Sequence, residues 1–222
     1  MKFKPVISIV LFFLSCSFLA AETTTRTYLE KDENKRITHV ITWEVSPNGE
    51  NIIIKTDKNN TQSQQVISGD IHGQTLSWTY ESEQERSNIT AVRTGKTIRM
   101  TGTRWGKKVD KSFDLDDYPW NQPFQLGVER FVRQDGGKSF KFWTIGTTGP
   151  GDMKIARFEA SKKRTEDIVI NGKIEKTLCY KITFTSFIYS MFWHGYYWYR
   201  VSDGFFLRYK GKSASSSSEY VQ

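Results

Sequence analysis

The sequence predicts an all-β, mostly antiparallel fold, and three observations carry that expectation. Runs of β-favouring residues follow one another from Thr25 onward, separated by turn signals spaced about eight to twelve residues apart. One stretch, 114–134, breaks this rhythm with a Pro-containing loop and a helical spacing of apolar residues. Residues 189–211 then form the densest aromatic run of the chain. Strands with short turns and one helical interruption fit a meander, a sandwich or a barrel.

The elements follow in order. Residues 1–21 read as a secretory signal peptide: Lys2 and Lys4 lead, 6–14 is apolar, and Phe18, Leu19, Ala20 and Ala21 form the exit. The apolar run is too short and wrongly flanked for a membrane span, and no later stretch is apolar enough to cross a bilayer. Cleavage is expected after Ala21. A rival cut ahead of Cys16, in Leu14-Ser15-Cys16, would leave a lipid-anchored chain, although Phe13 stands where such a box usually has Leu. Residues 22–212 read as a single β domain and 213–222 as a flexible tail too polar to order itself.

Strands are expected at 25–30, 37–45, 51–56, 64–68, 74–80, 88–93, 97–103 and 107–113. The turns between them fall at 46–49, 68–70, Gly95-Lys96 and Trp105-Gly106. In 122–132, Phe124, Val128, Phe131 and Val132 share a helical face, and Pro123 suits a first turn, while Gly127 weakens the helix. Strands resume at 139–145, 153–161, 166–170 and 174–187, with a flexible loop at 146–151 and a tight turn at Asn171-Gly172. Residues 187–193 fit either a continuing strand or a bulged aromatic loop.

Within 189–211, Asp203-Gly204 between two β-favouring runs is a two-residue hairpin signal. Such a turn would pair Ser202 with Phe205, Arg200 with Leu207 and Trp198 with Tyr209. The other face would pair Val201 with Phe206, Tyr199 with Arg208 and Tyr197 with Lys210. Both faces then carry large rings, so one should meet a core and the other a covering element or a ligand.

Removing Lys2 and Lys4 lowers the formal charge from +8 to +6, and the remaining bases are spread along strands. A solvated surface explains them better than a nucleic-acid groove, though attraction to anionic headgroups or cell-wall polymers is compatible with them. One cysteine, Cys179, follows the signal segment, so no internal disulfide forms there. The three histidines, His39, His72 and His194, are too scattered for local metal-ligand spacing. No nucleophile elbow, metalloprotease helix or phosphate loop is present. No catalytic residue, metal or cofactor is expected. Cys179 with His194 is the nearest thing to a thiol–imidazole pair, but Cys179 reads as a small buried strand residue.

Two sites can be named. Trp143, Tyr197, Tyr199, Phe206, Phe124 and Phe131 would line an apolar ligand site. Alternatively, the carboxylates Asp114, Asp116 and Asp117 beside Tyr118 and Trp120 would serve glycan binding or hydrolysis, with the rings stacking on a sugar. Acids stabilising a helix start explain the same cluster more plainly.

Export, the Pro-containing break with its short helix, and the late ribbon bearing Trp198, Asp203 and Gly204 together resemble bacterial exported proteins of domain-of-unknown-function family 3108. The resemblance implies an architecture similar to the lipoprotein carriers of the Gram-negative periplasm, a curved half-barrel around a helical lid with an apolar concave face. This chain departs in offering one helix where carriers have several. The expected fold is therefore a curved half-barrel or open barrel with one short helix packed in the concave face. The expected protein is an exported, periplasmic or secreted, non-catalytic binder of a lipid or other amphiphile, or a support for an envelope protein partner. A structural protein with a filled core is the other reading.

Overall fold

The computed structural model describes residues 23–45, 51–58, 61–70, 74–134, 136–149, 152–211 and 216–221. The expected signal segment, the expected turn at 46–49 and residues 213–215 of the tail lie outside them. Eight strands form a first meander: β1 (Thr24–Asp32), β2 (Ile37–Val45), β3 (Asn51–Lys58), β4 (Thr61–Gly69), β5 (Thr75–Ser82), β6 (Ser87–Thr94), β7 (Thr97–Arg104) and β8 (Lys107–Asp114). A crossing segment leads to helix α1 (Phe124–Gln134). A second meander comprises β9 (Ser139–Gly149), β10 (Asp152–Ile170), β11 (Lys173–Phe184), β12 (His194–Arg200) and β13 (Phe206–Gly211). The short helix α2 (Phe187–Phe192) interrupts it, and β14 (Ser216–Tyr220) closes it.

Among the described residues these fourteen strands make one antiparallel sheet. It runs from β8 back to β1, continues through β14, and descends from β13 to β9. Tight turns set much of the register. Thr94 pairs with Thr97 around Gly95, and Arg104 with Lys107 around Trp105-Gly106, with positive φ at all three turn residues. Ile170 pairs with Lys173 around Asn171-Gly172 in the same manner.

The sheet curls without closing. At its open seam Lys111 on β8 donates to Asp152 Oδ1 (3.2 Å) and to the Met153 carbonyl (2.9 Å) on β10. The crossing segment ties the two halves together as well. Thr75 N–H donates to the Trp120 carbonyl (2.8 Å), Asn121 N–H to that of Trp143 (2.9 Å), and Trp143 N–H to that of Pro119 (2.7 Å). This is the open half-barrel that the family resemblance implies, among the meander, sandwich and barrel that the strand rhythm allows.

Period-two alternation sends one face of each strand inward. Trp43 opposes Ile54, and Ile67 opposes Trp78, which opposes Ala91; all are buried. Helix α1 lies against this concave face. Val128 and Val132 are buried, Phe124 packs on Phe142, Phe158 and Tyr197, and Phe131 on Phe140 and Tyr180. Gly127, expected to weaken the helix, has a packing reason: a Cβ there would stand 2.4 Å from Asn121 Cγ, so only glycine lets α1 lie on the crossing segment.

The aromatic ribbon departs from its expected register. Tyr199 pairs with Phe206, Tyr197 with Tyr209 and Trp198 with Arg208, and a bulge lies at Trp198/Tyr199. Gly204 has positive φ and Asp203 does not, so the turn is wider than two residues. The helix is the physical reason. Arg133 Nε donates to the Asp203 carbonyl (3.0 Å), and a Cβ on Gly204 would sit 2.8 Å from the Glu129 carbonyl oxygen. The loop is shaped to seat on α1.

The second face of the ribbon is covered by the protein itself. Cys179, Trp198, Leu207 and Ile170 are buried outside the main core. The far end of the β10–β11 hairpin curls across them. Arg208 Nη2 donates to the Val169 carbonyl (2.8 Å), Asn171 Nδ2 to that of Val221 (3.1 Å), and Trp198 Nε1 to Glu166 Oε1 (2.7 Å). The same hairpin corrects another expectation: 153–161 and 166–170 are one strand, and their polar junction is a bulge at Lys162/Arg164. Residues 187–192 form α2, neither strand nor loop. The tail read as flexible contributes β14, because its backbone is paired on both sides.

Candidate functional site

The floor beneath α1 is built around Phe206. Its ring lies 5.3 Å from that of Tyr28, 5.9 Å from Trp43, 5.6 Å from Tyr199 and 6.1 Å from Tyr197, centre to centre. Tyr197 meets Phe124 edge-on at 5.4 Å, and Phe124 stacks on Phe142 at 5.7 Å and Phe158 at 6.3 Å. Phe158 leads to Phe184 and Trp193, which are only partly buried, at the end of the sheet where α2 sits. Five of the six expected ligand-site residues (Phe124, Phe131, Tyr197, Tyr199 and Phe206) therefore share one concave layer.

Trp143 does not join them. Phe140 and Phe142 point inward from β9, and alternation turns Trp143 outward, where its Nε1 donates to Asp116 Oδ1 at 2.7 Å.

An ion pair that the sequence did not single out holds α1 to this floor. Glu129 is 3% exposed and Arg26, on β1, 7%. Arg26 donates from Nη1 to Glu129 Oε2 (2.8 Å) and from Nη2 to Oε1 (3.2 Å). Arg133 Nη2 (2.9 Å) and the Phe206 N–H (3.1 Å) complete the carboxylate's partners. Burial works against the Arg26 charge, but Glu129 outweighs it and holds the guanidinium pKa above its ordinary value. The Tyr28, Tyr197 and Tyr199 hydroxyls are all driven upward, chiefly by burial, so they remain neutral. Tyr28 donates to the Phe206 carbonyl (3.0 Å). The Tyr199 hydroxyl and Arg26 Nε, both buried, have no hydrogen-bond partner among the described residues.

The acidic segment is spoken for. Asp116 accepts from Trp143 Nε1, from Arg157 Nη1 (2.7 Å) and from the Tyr118 N–H (3.0 Å). Burial alone would raise its pKa, yet these bonds hold the carboxyl below the usual range, so it is an acceptor and not a proton donor. Asp114 accepts from Thr97 and Asp117 pairs with Lys96. Trp120 is 0% exposed and offers no face to a sugar. Tyr118 lies beside the Lys141 and Arg157 cations.

Because its pKa is lowered in the folded chain, the stability Asp116 supplies is present above the ordinary Asp range and lost as pH falls through its depressed folded value. Asp116→Asn is expected to lower stability by about 0.5–1 kcal/mol near neutrality, since the pair is over a third exposed. Thermal melts should show this difference from the parent shrink as the pH is taken down below the ordinary Asp range.

Cys179 opposes Trp198, while His194 opposes Thr183. Four strand residues, on the order of 13 Å, separate the two along the sheet, so they form no thiol–imidazole pair. Burial pushes the Cys179 thiol up to about 11. Among the described residues no cluster of three or more His, Cys, Asp or Glu could hold a metal, and no helix is long and apolar enough to cross a membrane.

No protein-family model matches the chain, and no curated protein matches it. Several solved structures are distantly similar, among them the following two. A Bacteroides fragilis protein, described as a candidate exported protein with a YmcC-like fold, shares 9% identity at a TM-score of 0.34. The match covers 90% of this chain and 94% of that one. A candidate lipoprotein from Parabacteroides distasonis shares 11% at a TM-score of 0.32 over the same fractions. At these scores neither likeness bears on the fold or the function of this chain.

Proposed function

We propose that the chain is an exported, non-catalytic envelope protein that takes an apolar or amphiphilic ligand on the floor beneath α1. Export is supported by the positive start, apolar run and small-residue exit of 1–21. The resemblance to family 3108, through Trp198, Asp203 and Gly204, points the same way. One observation carries the ligand: the Tyr199 hydroxyl and Arg26 Nε keep unspent hydrogen-bonding capacity in a floor of rings and aliphatic side chains, beside a Glu129 carboxylate whose own partners are in place. An apolar site with a few convergent polar groups is the usual make-up of a small-molecule pocket. An acyl chain would lie among Phe124, Phe131, Tyr197 and Phe206 as α1 lifts, with its polar end against Tyr199 and Arg26.

Lipid extraction and mass spectrometry of the purified protein should recover an amphiphile. An acyl-chain fluorescent probe should bind saturably, about three- to tenfold more weakly to Tyr199→Phe. A folded chain that yields no amphiphile and binds no probe would overturn the proposal. That result would favour the second reading, a structural or interaction protein with a filled core, which the mutual packing of Tyr197, Tyr199 and Phe206 supports. An envelope protein would then be the partner.

A further inference from the structure

The charge of the chain is unevenly placed. Residues 22–138 hold seventeen Lys/Arg and seventeen Asp/Glu, whereas 139–211 hold twelve and six. All of the positive excess expected after signal removal therefore belongs to β9–β13. This basic half also carries α2, where Phe187, Ile188 and Met191 are 79%, 66% and 57% exposed on a single helical turn and a half. Among the described residues the other exposed apolar side chains stand singly or, at the far end of the β10–β11 hairpin, as the cross-strand pair Val169 and Ile174; these three are grouped on one short helix at the opposite end of β11.

Around α2 the sheet presents cations. Lys181, Tyr196 and Lys210 form one cross-strand row near that end, on the face opposite the inward row Tyr180, Tyr197 and Tyr209. Neither lysine is held in an ion pair among the described residues. Glu159, opposite Thr183, is an acid on the same face with Lys141 as its other cross-strand neighbour, while Glu166, Asp116 and Glu219 on that face are each paired with an arginine. Tyr196 packs edge-on against His194 at 5.6 Å, which sets amphipathic rings between the apolar tip and the lysines.

From this arrangement we infer that α2 and the basic face behind it dock the protein on an anionic lipid bilayer. Phe187, Ile188 and Met191 enter the headgroup–acyl boundary, and Lys181 and Lys210 meet the lipid phosphates. Apolar insertion beside a basic surface is the pairing that anionic bilayers retain, since each contribution alone holds a protein weakly. This docking does not require a ligand beneath α1, so failure of either proposal leaves the other testable.

The experiment is flotation of the folded chain, without residues 1–21, with vesicles of phosphatidylcholine alone or mixed with phosphatidylglycerol. Binding is expected only to the mixed vesicles, and it should weaken as salt rises to about 0.5 M. Replacing Phe187, Ile188 and Met191 together by Ser should reduce it about tenfold with unchanged melting, because all three are exposed. Lys181→Gln with Lys210→Gln should reduce it severalfold and flatten the salt dependence. No binding to mixed vesicles overturns the inference. So does binding that the Ser variant leaves intact, which would make the face a general site for acidic macromolecules.

Discussion

Glu129→Ala is expected to destabilise the protein by about 3–5 kcal/mol, the range for removing one partner of a buried ion pair. The loss falls on groups left behind. Arg26 would stay buried without its counter-ion, and the Phe206 N–H would lose its acceptor at the centre of the ring cluster. Arg133, being half exposed, would turn to water at little cost. Against a typical total stability of about 5–15 kcal/mol, a loss of this size is visible in any denaturant titration. Replacing both partners, Arg26→Met with Glu129→Leu, should recover most of it, because two apolar side chains need neither charge compensation nor the Arg26 hydrogen bonds. A loss below about 1 kcal/mol in the single variant would mean that α1 is held by its apolar face alone, and the latch between helix and floor would have to be given up.

This latch also marks where sequence reasoning stops. Strand β2 is legible to the residue, because 37–45 is rich in β-branched residues, 41–45 alternates, and Ser46-Pro47-Asn48-Gly49 ends it, and the Asn171-Gly172 turn is legible from two residues that accept positive φ. Helix α1 could be placed from the spacing of Phe124, Val128 and Phe131. Its buried acid could not, because Arg26 lies 103 residues away and leaves no local trace. The five concave rings were found by counting which aromatics fall on a common face. Trp143 lies apart from them: Phe140 and Phe142 occupy the inward positions of β9, so their odd-numbered neighbour faces out. The ring surplus of 189–211 led correctly to a demand for a cover. That the cover is the end of the β10–β11 hairpin depends on how strongly the sheet coils, which no residue pattern specifies.

Truncation after Gly211 is expected to have the larger consequence, either loss of the cooperative fold or a stability drop on the order of 5 kcal/mol. Strand β14 joins the two meanders. It pairs with β1 from Tyr28↔Tyr220 to Asp32↔Ser216 and with β13 from Arg208↔Glu219 to Lys210↔Ser217. Without it β1 and β13 become bare edges in the middle of the sheet, and β1 carries Arg26, the anchor of α1. Tyr220 would also leave Tyr28 and Phe205, and Arg208 would lose Glu219. Tyr220→Ala, which removes the ring and keeps the ladder, should cost only about 1–3 kcal/mol. A synthetic peptide spanning 212–222, added to the truncated chain, should restore the melting transition by refilling the gap through strand addition. A truncated protein that melts with the parent would show that the crossing segment and α1 suffice to hold the half-barrel together. The serine-rich strand would then be an ornament on an already complete sheet, and the continuous fourteen-strand ladder would not be what sustains its curvature.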